Sequence, residues 1–109
     1  MKIIGIEALN KALKESQNIE PIRKVVKNNG AQMQNKAQRL APVDTGALKR
    51  SISIDLQDGG FTAKVSPGVD YAAYQEYGTR FQSGTPFMRP SFRSQQPMFI
   101  SDLKRLMGK

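Results

Sequence analysis

The sequence predicts an α+β fold in which an antiparallel β-sheet is flanked by helices. Three observations support this fold class. Before residue 41, apolar residues recur at helical spacing. After the break, Ile52, Ile54 and Leu56 alternate with polar residues and an Asp-Gly-Gly turn follows, and the last part of the chain returns to helical spacing. A chain of 109 residues is most simply one domain, so we assign residues 1–109 to a single unit.

Two helices are predicted in the first third of the chain. Over residues 6–15, Ile6, Leu9 and Leu13 share one side of a short helix. Residues 21–40 predict a longer helix, whose apolar stripe comprises Ile22, Val26, Met33, Ala37 and Leu40. Gly30 interrupts this helix at a cost of about 1 kcal/mol relative to alanine. We therefore expect a close packing contact or a kink at Gly30, and residues 28–30 leave open a division into two helices.

A structural corner is predicted where the helical pattern stops. Pro42 lacks the amide hydrogen that a helix needs, and it restricts the residue before it to extended conformations. Asp44 and Thr45 favour caps and turns, and Gly46 accepts backbone angles that other residues avoid. The corner is expected to lead the chain into the sheet.

A β-hairpin is predicted next. Its strands cover residues 52–57 and 61–66, and residues 58–60 form the turn because Asp-Gly-Gly accepts the positive φ angles of tight turns. Phe61, Ala63 and Val65 should share one side of the second strand.

The remainder predicts a short tyrosine helix, a loop and a final helix. Asp70 should cap the helix over residues 71–77, and Gly78 should end it. Residues 79–85 are polar and contain glycine, which indicates an exposed, flexible loop. The final helix contains Phe99, Leu103 and Leu106, and Pro97 either starts it or kinks it.

Composition excludes several classes of site. The chain contains no cysteine and no histidine, so a disulfide framework, a thiolate metal site and a histidine base are absent. We expect no cofactor and no metal. The apolar runs of the sequence are too short to span a bilayer, and the apolar run in the first five residues is too short for the hydrophobic region of a signal peptide. We therefore expect neither membrane insertion nor secretion.

The net charge of +8 is concentrated in the first half of the chain. Residues 1–50 contain ten basic and four acidic residues, against seven and five in the remainder. Arg23, Lys24 and Lys27 lie opposite the apolar stripe of the long helix and are candidates to face DNA or a channel. A solvated helix side explains them equally well. Since no base-reading motif is present, any DNA contact should be electrostatic and salt-dependent.

Three blocks of the sequence together resemble a known family. They are APVDTGALKRSI at residues 41–52, YAAYQEYGT at 71–79 and PFMRP at 86–90. In this order and spacing they are similar to the tail-completion or head–tail joining proteins, also called neck proteins, of long-tailed bacteriophages and prophages. The resemblance covers residues 40–92 well and the flanking helices only in pattern.

The resemblance implies a non-enzymatic structural protein with a fold similar to that of phage tail-terminator proteins. Such a protein would complete the tail or join head to tail by binding neck or connector proteins and tail-tube or tail-terminator proteins. It would lie in the tail or neck of the virion, and in the host cytoplasm during assembly. A homo-oligomeric, hexamer-like ring around the DNA channel is also implied.

We expect the partner surface to lie on the tyrosine helix, the loop and the third block. Its candidate residues are Arg80, Phe81, Gln82, Tyr74, Tyr77 and Arg89. Exposed aromatic and arginine side chains are enriched at protein interfaces. A simpler role remains open for each part. The tyrosines could pack in the core, as tyrosines commonly do, and the loop could be a connector without a binding role. Glu76 is four residues before Arg80, so the two could form an ordinary surface ion pair.

The residues themselves suggest two other functions. The basic charge also fits a small, non-sequence-specific nucleic-acid-binding protein of a phage or prophage. Asp44-Thr45-Gly46-Ala47 matches the active-site tetrapeptide of dimeric aspartic proteases. In those enzymes the tetrapeptide follows a hydrophobic strand, whereas here it follows a helix and a proline, which favours a turn or cap role.

Overall fold

The α+β fold class is confirmed by a computed structural model of the chain. It describes residues 1–15, 18–41, 46–69, 72–79, 82–84 and 86–107. The elements in chain order are β1 Lys2–Ile4, α1 Ile6–Lys14, α2 Glu20–Leu40, α3 Ala47–Ser51, β2 Ser53–Gln57, β3 Thr62–Ser66, α4 Ala72–Tyr77, β4 Gly78–Thr79, β5 Gln82–Ser83 and α5 Met88–Met107.

The main sheet has three antiparallel strands in the order β1-β3-β2. The predicted hairpin forms β2 and β3, and its turn is confirmed because Asp58, Gly59 and Gly60 all have positive φ, at 55°, 66° and 96°. Ala63 and Val65 are fully buried, and Phe61, which precedes the first strand residue, is buried as well. The side of β3 predicted to be apolar therefore does face the core.

Helix α2 runs unbroken through residues 28–30, so the division into two helices is wrong. The predicted close packing contact at Gly30 is confirmed. A Cβ at this position would lie 2.7 Å from both the Ala63 Cβ and the Ile54 Cδ1. The backbone of α2 approaches the sheet at a distance that only glycine allows.

Helix α5 packs antiparallel to α2 on an adjacent side. The Gln95 amide donates to Asn29 Oδ1 at 2.5 Å and to Gln32 Oε1 at 2.9 Å, and the Asn29 amide donates to Asp102 Oδ2 at 3.0 Å. The apolar core lies between the sheet and α2 and extends to Met88 and Phe99 of α5, and these polar side chains also join α2 to α5. Asn29 is buried because it serves this second contact.

Four features of the chain differ from the predictions. Strand β1 was not expected, because three residues are too few to show a period. The corner leads first into α3 and only then into the sheet. Helix α5 begins at Met88, so Pro97 lies inside it and does not start it. The segment 79–85 was expected to be a loop, but β4 and β5 form a two-residue antiparallel ladder there.

Four apolar residues that the spacing placed on the apolar sides of their elements are exposed: Leu13, Leu40, Leu56 and Leu106. Ala12 takes the buried position of α1 in place of Leu13. Leu40 is the last residue of α2 and lies beside Pro90 at the start of α5. Leu56 lies near the end of β2, at the edge of the sheet. Periodicity gives the side of an element on which a residue lies, but not whether a neighbour covers it.

Candidate functional site

The end of α4 and the beginning of α5 come together and place Tyr77 beside Arg89. Tyr77 is 64% exposed, and the Arg89 guanidinium carbon lies 5.3 Å from the centre of the Tyr77 ring. This distance is within the range of a cation–π interaction. Two of the six predicted partner-binding residues therefore form one exposed unit, which we call the Tyr77–Arg89 surface.

A buried carboxylate holds this surface in place. Glu76 is only 7% exposed, and its side chain accepts hydrogen bonds from the backbone N–H groups of Phe87 at 3.1 Å, Met88 at 2.8 Å and Arg89 at 3.2 Å. The first amides of a helix have no partner within it, and a negative charge there is favourable. Glu76, which lies in α4, thus caps the start of α5. This buried role differs from the surface ion pair with Arg80 that the sequence suggested.

Two glycines shape the segment between these helices. Gly78 has a φ of 82° and ends α4 in the left-handed region, as predicted. A Cβ on Gly84 would lie 2.6 Å from the Tyr77 carbonyl carbon and 2.7 Å from the Glu76 carbonyl oxygen. Because these neighbours are backbone atoms, Gly84 must lie directly against the end of α4. We call residues 72–89, as far as they are described, the junction.

An apolar cavity of about 250 Å³ adjoins the Tyr77–Arg89 surface. It lies between the end of β3, α4 and the start of α5. Its apolar lining includes Val65, Pro67, Ala72, Tyr77, Phe87 and Met88. Phe87 and Met88 of the third block are buried, so this block packs into the fold. An exposed aromatic ring beside an apolar recess can receive a side chain of another protein.

The other predicted contact residues are described in part or not at all. The backbone of Tyr74 lies in α4, and that of Gln82 pairs with Thr79 in the β4–β5 ladder, whereas their side chains are outside the description. Arg80 and Phe81 lie outside the described residues, as do Asp70 and Tyr71. Their proposed part in binding stays a prediction.

The basic face of α2 divides into one engaged residue and two exposed ones. Arg23 pairs with Glu20, donates to the Gly59 carbonyl at 2.9 Å and lies 5.0 Å from the centre of the Phe61 ring. It thereby fastens the β2–β3 turn to α2. Lys24 and Lys27 are exposed. The prediction of DNA contact is untested and depends on these two lysines more than on Arg23.

The structural corner is described only at its end. Gly46 has a φ of 73° and precedes the first residue of α3, in accord with its predicted role. Pro42, Asp44 and Thr45 lie outside the described residues, so the match to a protease tetrapeptide is not tested.

Two negative findings apply to the described part of the chain. Within residues 1–15, 18–41, 46–69, 72–79, 82–84 and 86–107, no group of acidic, histidine or cysteine side chains could hold a metal ion. Among the helices described, none combines the length and apolar character needed to cross a membrane.

The comparison with protein families identifies a phage family. The family described as "Bacteriophage HK97-gp10, putative tail-component" matches residues 6–78, about two thirds of the chain. The matched part extends from α1 through α4, and therefore includes Glu76 and Tyr77. No curated protein and no solved structure matches the chain.

Proposed function

The chain belongs to the HK97-gp10-like family of bacteriophage tail components, and we propose that it completes the tail or joins the head to the tail at the neck of the virion. Its role would be structural and not enzymatic. It would act in the host cytoplasm during assembly and remain in the finished tail or neck.

The observation that carries this proposal is the Tyr77–Arg89 surface. Tyrosine and arginine are the residue types most often found where binding energy is concentrated at protein interfaces. Here both are exposed, and the buried Glu76 carboxylate fixes the position of the helix that bears Arg89. A contact surface that is ordered before binding loses less entropy when a partner docks.

The proposed partners are the neighbouring rings of the particle, namely neck or connector proteins on one side and tail-tube or tail-terminator proteins on the other. Residues Arg80 and Phe81 would extend the contact. Within the particle the chain would form a homo-oligomeric ring, hexamer-like in arrangement, around the DNA channel. The exposed Lys24 and Lys27 support a secondary, non-specific contact with DNA, and its strength should fall steeply with added salt.

In vitro complementation tests the joining function. A phage that carries this gene is grown with the gene deleted, and we expect filled heads and tails to accumulate separately. Addition of the purified chain to that lysate should restore infectious particles by at least a hundredfold, because only the missing joining step is supplied. An equal mass of chain denatured by heat is the control.

Two outcomes of the deletion experiment would contradict the joining function. If phage without the gene assemble joined, infectious particles at the normal yield, the chain neither completes the tail nor joins it to the head. If the deletion blocks growth but DNA-filled heads never form, the chain acts earlier than proposed, and the joining function is equally wrong.

A further inference from the structure

The two edges of the three-stranded sheet carry opposite charges. Strands β1 and β2 are the edge strands, and residues Lys2, Lys64 and Asp55 stand opposite one another in a single row across the sheet. Like charges opposite each other destabilise a strand pair, and opposite charges stabilise it. The row therefore has a basic residue at the β1 edge and an acidic residue at the β2 edge.

Cationic groups are crowded at the β1 edge. The pKa of the Met1 amino group is lowered from its ordinary value, chiefly by burial and further by the positive charges of Lys64 and Lys2. Asp55, at the other edge, is exposed and accepts a hydrogen bond from Gln57 at 2.9 Å. An acidic group placed against Lys2 would relieve the repulsion at the β1 edge.

The two edges also differ in shape. Leu56 stands opposite Ala63, which faces α2, so Leu56 points toward the helical layer, yet it is 43% exposed because β2 is an edge strand. At the β1 edge, a groove of about 350 Å³ opens between β1, α1 and α5. Its apolar lining comprises Ile3, Ile4, Phe92, Phe99, Ile100 and Leu103.

We infer that the chain associates with itself head to tail, with the β2 edge of one copy against the β1 edge of the next. The uncovered Leu56 of one copy enters the apolar groove of the next, and Asp55 lies opposite the neighbouring Lys2. Both edge strands run antiparallel to β3, so they are parallel to each other and form a short parallel pair across the contact. In the continued row, Asp55 lies between Lys64 of its own copy and Lys2 of the next copy.

Such a contact joins two different surfaces, so it is heterologous. Heterologous contacts produce closed rings or open filaments, whereas a contact between identical surfaces stops at a dimer. The choice of a ring rests on the proposed function, since a ring is what a neck around DNA requires. The pairing of the two edges rests only on the charges, the groove and the sheet order.

The absence of cysteine from the sequence permits a direct test by cross-linking. Lys2→Cys and Asp55→Cys variants, one of them carrying a mass tag, are mixed in equal amounts and oxidised mildly. Both positions are exposed, so the fold should be unchanged. Across the contact the two thiols would be about one strand spacing apart, about 4.8 Å between backbones, which a disulfide can bridge. Mixed dimers should exceed either symmetric dimer at least tenfold.

Two further variants make the test specific. Lys2→Cys mixed with Asn28→Cys, an exposed position on α2, should give only the statistical ratio of two mixed dimers to one of each symmetric dimer. Adding Leu56→Asn to the Asp55→Cys chain should slow formation of the mixed disulfide at least fivefold, because the apolar side chain no longer fills the groove. The double variant Lys2→Cys with Asp55→Cys should form covalent oligomers, since about two strand spacings within one chain exceed the reach of a disulfide.

A statistical ratio for the Lys2→Cys and Asp55→Cys mixture would overturn the inference, and so would an excess of symmetric dimers. The assay needs only the purified chain. Failure here therefore leaves the joining function intact, and failure of complementation leaves the self-contact intact.

Discussion

The layer formed by α2 and the main sheet and the junction between α4 and α5 are stabilised in different ways. In the first, many buried apolar residues share the packing, among them Ile22, Val26 and Met33. In the second, the Glu76 carboxylate alone accepts the three hydrogen bonds that position the start of α5. The layer should tolerate small changes, whereas the cap at the start of α5 depends on one side chain. The part that carries the proposed contact is thus the more sensitive one.

Replacing Glu76 should produce the largest effect. Glu76→Ala leaves three backbone donors at a buried helix start without their acceptor, and each uncompensated donor costs about 1–3 kcal/mol. Partial access to water reduces the sum, and we expect the free energy of unfolding to fall by about 3 kcal/mol. Glu76→Gln keeps an acceptor oxygen but loses the charge and should cost about 1–2 kcal/mol. Denaturant titration measures both.

A matched control separates this role from a general charge effect. Glu7 is an exposed acidic residue in the first turn of α1, and Glu7→Ala should cost less than about 1 kcal/mol. Amide exchange provides a second measurement: in Glu76→Gln the amides of Phe87, Met88 and Arg89 should exchange faster while those of α2 are unchanged. If all regions lose protection equally, the junction is not a separate unit, and the comparison fails.

A smaller effect is expected in the layer of α2 and the sheet. Gly30→Ala places a Cβ 2.7 Å from Ala63 and Ile54, and overpacking of this kind typically costs about 1–3 kcal/mol. Alanine regains about 1 kcal/mol of helix propensity. The end of the Ile54 side chain can move, but the Ala63 Cβ can move only together with the backbone of β3. The cost of overpacking should therefore lie near the upper end of this range, and the net loss in the free energy of unfolding should be about 2 kcal/mol.

Asn28→Ala, two residues earlier on the exposed side of α2, is the control for helix propensity. It should leave stability unchanged or raise it by about 0.5 kcal/mol. Should Gly30→Ala stabilise the protein as much as Asn28→Ala does, then the close approach of α2 to the sheet is not a constraint on the fold.

The same two regions show what sequence reasoning can reach. The stripe of α2 and the Asp58–Gly60 turn are local patterns, and both were predicted. The contact between Glu76 and the start of α5 joins residues 11 to 13 positions apart, and no periodicity reports such a pairing. A glutamate in a short apolar helix, followed by a proline-flanked helix start at Pro86 and Pro90, was the available signal. Strand β1 was not predicted because three residues show no period and its partner β3 lies about sixty residues further along the chain.

The candidate site was predicted in composition and not in geometry. Tyr77 and Arg89 were both named from the sequence, but their contact depends on the capped helix that was not foreseen. For Leu56 the prediction itself was wrong. The alternation of apolar and polar residues in β2 indicated that Leu56 lies in the core. It is exposed because β2 is an edge strand, and the order of strands in a sheet cannot be read from a pattern within one strand.

The most direct test of the account is the yield of joined particles with a Tyr77→Ala and Arg89→Ala double variant in the complementation assay. Both residues are exposed, and the loss of their cation–π contact should lower the free energy of unfolding by no more than about 1 kcal/mol. Lys11→Ala with Leu13→Ala removes an exposed basic and an exposed apolar side chain from α1 and is the matched control. We predict that the first pair lowers the yield at least tenfold and the control pair leaves it unchanged. A normal yield from the Tyr77 and Arg89 variant would contradict the central claim.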